Sequence, residues 1–132
     1  MATTEHLPTS LALRLARWFD ERLSDTDVQP TSRARLYGLE VLDHSPLQAR
    51  TVFIAEAADF RSVINHPSAS DGFAFDAAAV VEFPWISLDQ AMARPGSYSR
   101  RERGRVVRVI TNDGDAATLC RVGDTEVCAA GR

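Results

Sequence analysis

Residues 106–129, VVRVITNDGDAATLCRVGDTEVCA, decide the fold of this chain. Val106-Val107-Arg108-Val109-Ile110 is a β-branched run leading to Asp113-Gly114, a dipeptide favoured in type I′ hairpins because both central residues need a positive φ. Ala116–Val122 runs back to Gly123-Asp124, where glycine at the first central position suits a type II′ turn. Thr125–Ala129 then closes a three-strand antiparallel meander. In the register of two-residue turns, Val107, Val109, Cys120, Val122 and Val127 share one face, which is expected to be core. Arg121 stands opposite Glu126 on the other face, a favourable cross-strand pair.

That register also governs the two cysteines. A two-residue turn at Gly123-Asp124 sets Cys120 against Val127 and Cys128 against Leu119, so the thiols point to opposite sides. A three-residue loop would instead place Cys120 directly across from Cys128, where a disulfide becomes geometrically open. The two-residue turn is favoured, because it also supplies the Arg121–Glu126 pair. Both cysteines are therefore expected as buried structural thiols, and their C-x7-C spacing is no zinc pattern.

Upstream, residues 9–25 read as an amphipathic helix. Leu11, Ala12, Leu15, Ala16, Phe19 and Leu23 fall on one face, and Arg14, Arg17, Asp20 and Glu21 fall opposite. Pro8 suits the start, with Thr9 or Ser10 as cap. Leu13 sits alone on the polar side and Trp18 at the edge of the apolar face, so these two are the candidate interface residues. Residues 25–32 read as a linker, followed by strands over 33–42 and 49–55 joined by a turn at Asp43-His44-Ser45-Pro46. A helix is expected over 56–65, stopped by His66-Pro67, then a loop to Gly72 and a strand over 73–83. Ser87-Leu88-Asp89-Gln90 fits the capping box of a short helix ending before Pro95. The order predicts one α+β domain over residues 1–132: an N-terminal helix and two further short helices on a mostly antiparallel sheet that ends in the C-terminal meander. This order is similar to that of small cystatin-like or nuclear-transport-factor-like domains, a likeness of fold alone.

Composition bounds the function. At 132 residues, 45% hydrophobic and 25% charged, with a net charge of −3, the chain has the make-up of one folded domain rather than a disordered segment. No apolar run approaches the length of a membrane span, and the N-terminal eight residues carry no base, so neither a membrane nor a secretory leader is expected. Two cysteines fit a reducing cytoplasm. All fifteen basic residues are Arg. Charge is polarised: residues 94–108 hold six Arg against Glu102, while residues 1–93 are net acidic.

That basic segment carries two readings. The first is a solvated loop neutralised by the acidic remainder of the chain or of a second subunit. The second is a nucleic-acid or phosphate-ligand contact, with Arg100, Arg101 and Arg103 forking onto phosphates and Tyr98 stacking on a base. Against the second, a nucleic-acid domain is usually basic as a whole.

Other chemistry is thinly signalled. No phosphate-binding glycine loop, H-E-x-x-H, kinase signature or G-x-S-x-G elbow occurs, so no cofactor is expected and no catalytic residue is assigned. Asp43-His44-Ser45 looks like a triad as a string, but successive side chains of an extended segment diverge. No ligand spacing supports a metal site from His44 and His66 with Asp43 or Asp71. Asp113-Gly114-Asp115 resembles a calcium-loop fragment, yet a hairpin turn explains it. Phe73, Phe75, Phe83 and Trp85 could line an apolar pocket, with Asp43, His44, Asp71 and Asp76 as its acid–base groups; core packing is the commoner fate of such rings. The expectation that follows is a non-enzymatic accessory or regulatory domain acting through a protein interface, as a homodimer or with an unidentified protein partner. Phosphate or nucleic-acid binding through the Arg segment is the alternative, and a small-molecule protein or enzyme with an aromatic-lined pocket is a third.

Overall fold

The computed structural model describes residues 10–26, 29–72, 74–87, 101–123 and 125–131. Ser10 caps α1 (Leu11–Asp25), its hydroxyl accepting the Leu13 amide at 3.1 Å, as the sequence predicts. Two long strands follow, β1 (Ala34–His44) and β2 (Leu47–Ala57), joined through Ser45-Pro46. Two short helices, α2 (Phe60–Ile64) and α3 (Ala69–Gly72), lead to β3 (Ala77–Glu82). The chain ends with β4 (Trp85–Ser87), β5 (Arg101–Thr111), β6 (Ala116–Val122) and β7 (Thr125–Gly131).

Every strand pair is antiparallel, in the order β2-β1-β3-β5-β6-β7. β4 carries on the line of β3 along β5 after Phe83-Pro84 interrupts it: Glu82 faces Val106 and Trp85 faces Arg103. A proline cannot donate to the ladder, so the strand breaks there. The architecture is α+β, with α1 on one face of the sheet and the two short helices on the other.

On the α1 face, Ala12, Leu15, Ala16, Phe19 and Leu23 pack onto Leu39, Ala77, Ala79, Val81, Val107, Val109, Ala117 and Leu119. On the reverse face, Val63 of α2 and Ala69 of α3 cover Ala34, Leu36, Ala55, Ala78 and Val80. β3 is thus buried on both sides, which its unbroken AAAVV run permits, and its alanines let both helix layers come close. Gly38 serves the reverse face: a Cβ there would meet the Phe75 ring at 2.3 Å.

Several expectations change. Glu56 and Ala57 extend β2 instead of starting a helix, because Glu56 pairs across to Arg35, and α2 begins later with Asp59 as its cap. The segment expected as a loop before Gly72 contains α3, and the strand expected over 73–83 spans Ala77–Glu82. Ser87, expected as a helix cap, ends β4; the rest of that helix lies outside the described residues.

The first meander turn is one residue longer than read. The Thr111 amide donates to Asp115 O at 2.8 Å and Gly114 takes φ +92°, enclosing a three-residue loop. The partner therefore slips by one: Val107 faces Leu119 and Val109 faces Ala117. Cys120 and Val122 consequently lie on the reverse face, opposite to Val106 and Gly104, rather than with Val107 and Val109. Arg121 lies on the α1 face.

At the second turn, Gly123 has φ +59°, and Val122–Thr125 and Arg121–Glu126 pair as expected. A bulge between Arg121 and Cys120 then absorbs one residue of β7, so that Cys120 stands across from Cys128. Cys120 is disulfide-bonded, and no cysteine among the described residues is free. The sequence reading set the Arg121–Glu126 pair and the cysteine pairing as alternatives; the bulge supplies both. It also removes the ground on which a reducing compartment was expected. Of the membrane expectation, what stands is that no helix among the described residues is long and apolar enough to cross a bilayer.

Candidate functional site

Asp20, placed by the helical pattern on the polar side of α1, is fully buried. The side chains that bury it come from inward positions of β5 and β6. Arg105 Nε donates to Asp20 Oδ1 at 2.7 Å, and Arg121 Nε donates to Oδ2 at 2.5 Å. A second nitrogen of Arg105 reaches Asp20 O at 3.0 Å and Ser24 Oγ. One carboxylate on α1 thus ties two guanidinium groups and fastens the helix to the meander, with both of its oxygens engaged.

Beside this cluster lies a recess of about 130 Å³ walled by Arg103, Arg105, Arg121 and Ser24, with Phe83 and Pro30. Arg103 packs its guanidinium 5.0 Å from the centroid of the Trp85 ring. Its Nε is buried and has no hydrogen-bond partner. Trp85 itself is 59% exposed.

A second surface forms where α1 stops short of the sheet edge. α1 packs mainly over β5 and β6; on the same face Leu39 is buried and Tyr37, Val41, Leu47 and Ala49 pack partly against its core, while Thr51 and Phe53 of β2 stay exposed. Phe19 makes an edge-on contact with Tyr37 at 5.0 Å, and Tyr37 makes another with Phe53 at 5.8 Å. Phe53, on the edge strand β2, is 55% exposed. Trp18 stacks beside Phe19 at 6.5 Å, with Arg22 over its own ring at 5.2 Å. A line of rings therefore runs from the core to an outer strand. Arg33 and Arg35 close one end of it, both paired with Glu56 at 2.8 and 3.0 Å. The Arg35 hydrogen bond holds the Glu56 carboxyl below its ordinary range.

The remaining candidates disperse. Asp76 and His44 share a depression with Asp113, but the Asp76 carboxylate accepts the Val41 amide at 2.8 Å. Asp43 is spent on the turn amides of His44 and Ser45, and Asp71 lies apart on α3. His66 Nδ1 accepts the Ser68 amide, a local turn bond. Among the described residues no three His, Cys, Asp or Glu side chains gather as a metal site. The expected aromatic pocket is not assembled from its described members: Phe75 lies over Gly38, Phe83 is in the α1-side core and Trp85 is exposed. Phe73 lies outside the described residues.

Of the Arg-segment candidates, Arg103 lines the recess and Arg101 opens β5 opposite Ser87; Tyr98 and Arg100 lie outside the described residues. Of the interface candidates, Trp18 joins the ring line, whereas Leu13 packs partly into the α1-side core. Sequence reading missed Asp20, Arg105, Arg121, Tyr37 and Phe53 as site residues. The signal for Asp20 and Arg105 was an arginine two residues before Val107, on the face read as core, which needs a buried acid opposite; Arg121 read as outward-facing. Compared with known protein families, curated proteins and solved structures, the chain matches none.

Proposed function

We propose that this protein is a non-enzymatic accessory or regulatory domain whose working surface is the ring line of Trp18, Tyr37 and Phe53 beside α1. Its occupant in this reading is a second copy of the chain. The observation that carries it is Phe53, 55% exposed in the middle of an edge strand and backed by rings reaching into the core. Aromatic side chains held rigid by packing are what binding hot spots are made of, because little freedom is lost when a partner covers them. The surroundings match interface anatomy, with an apolar centre and a charged rim.

A second copy is favoured over an unrelated partner by the rim's charges. Arg22, Arg33 and Arg35 stand with Glu56 on one surface, so both signs are present on each copy. A two-fold interface requires that, since each copy must supply the complement of its own charges. β2 is also an edge strand of eleven residues, with backbone groups along its outer side open to pairing. The test is sedimentation of wild type and Phe53→Ser at tens of micromolar and low salt. Wild type is expected to sediment as a dimer and the variant as a folded monomer. A variant that dimerises like wild type overturns the assignment of this surface.

A further inference from the structure

The recess beside Asp20 has no part in that interface. It lies near the C-terminal end of α1, between β5, β6 and the second hairpin, and no residue of β1 or β2 lines it. We propose that it is a binding site for the phosphoryl group of a small ligand, gripped by Arg103 together with Arg105.

Three observations converge on an oxyanion. The wall is cationic, with no acid among its described residues, and the neighbouring Asp20 is already engaged through both oxygens by Arg105 and Arg121. Asp20 therefore acts as a clamp: it holds Arg105 in place without offering a carboxylate to the recess. Arg103 has no ion pair among the described residues, and its Nε is buried without an acceptor. A buried charged donor left unmade is costly, so such a group points to an acceptor that arrives from outside. Finally, the space of about 130 Å³ suits a tetrahedral oxyanion with a few waters rather than an extended apolar ligand.

Two further features shape the site. The end of α1 would by itself repel an anion, because its last carbonyls carry partial negative charge. Among these, Leu23 O accepts the Thr26 hydroxyl, and one turn earlier Asp20 O accepts from both Arg105 and Ser24. Trp85 holds the Arg103 guanidinium against its ring, which limits how far the fork can swing before a ligand binds. The planar guanidinium offers paired donors to phosphate oxygens, a geometry that lysine cannot copy.

The test is calorimetric titration of the full chain with inorganic phosphate, glycerol phosphate and, as a control, acetate, at constant ionic strength. Saturable one-site binding of a phosphate species is expected, and whichever of the two binds more tightly identifies free phosphate or a monoester as the source. Arg103→Gln should weaken it about tenfold or more, the size of one charge-assisted hydrogen-bonded contact. Arg103→Lys should recover only part of the loss, and Arg50→Gln on the far edge should change nothing. Circular dichroism confirms that each variant is folded. The proposal is overturned if phosphate binding is absent or unsaturable, if Arg103→Gln binds like wild type, or if acetate binds as tightly as phosphate.

Discussion

Asp20 concentrates the physical chemistry of this molecule. A carboxylate at 0% exposure survives only when its charge is matched, and Arg105 and Arg121 match it from neighbouring strands. Such a cluster adds little to stability over an apolar one, but removing a single member leaves uncompensated charge behind. Asp20→Asn is expected to destabilise the fold by about 3–5 kcal/mol, measured by urea denaturation. A loss under 1 kcal/mol would show that water reaches the arginines and that the cluster is not sealed. A helical wheel places Asp20 among the polar residues, and the wheel is right about the helix alone. What it lacks is the opposite wall, where two arginines occupy positions that alternation reserves for apolar residues.

At the scale of elements, the type and order of the main pieces were legible, and their registers were not. α1, its Ser10 cap, the β1–β2 pair and the meander follow from periodicity, β-branched runs and turn residues. Asp113-Gly114 announces a hairpin, but the loop length is decided by Thr111, whose amide and hydroxyl both bond to Asp115 O. That one extra residue moves Cys120 to the reverse face. The bulge before Cys120 is equally silent in the sequence, because it serves two cross-strand pairings at once. The bond at Cys120 ties the outermost strand into the sheet. Its reduction is expected to cost about 2–3 kcal/mol by the chain-entropy account of a short closed loop, read as a lower melting temperature in dithiothreitol. An unchanged melting temperature would contradict a bond that constrains the unfolded chain.

Caps and turns also set the response to acid. The Asp59 carboxyl is held below its ordinary value by the Ser62 amide it caps, and Asp113 by the Thr111 hydroxyl. Glu56 is lowered by its arginine partners. Groups lowered on folding contribute stability above the ordinary carboxylate range, and that contribution is lost as pH falls through the lowered values. The urea midpoint should therefore hold from pH 7 to about 5 and fall below about pH 4. Asp59→Asn should lose less on acidification than wild type does. Equal losses would mean that the α2 cap does not titrate with folding.

For the whole molecule, uneven coverage of the sheet accounts for both surfaces. α1 is fifteen residues long and packs mainly over β5 and β6, so cover thins toward the β2 edge and the ring line emerges there at Phe53. Near the helix's C-terminal end, the same packing brings Arg105 and Arg121 onto Asp20 and leaves the Arg103 recess beside them. Trp18 was visible in sequence as an apolar residue at the edge of its face. Phe53 was not, since a phenylalanine in a β-branched run reads as core until the sheet order makes β2 an edge.

Self-association through the Trp18, Tyr37 and Phe53 ring line is decided by native mass spectrometry at about 20 micromolar and low ionic strength. A species of twice the 14.5 kDa chain mass is expected, with no added mass from a retained partner. A monomer under those conditions, with or without a bound small molecule, would contradict it.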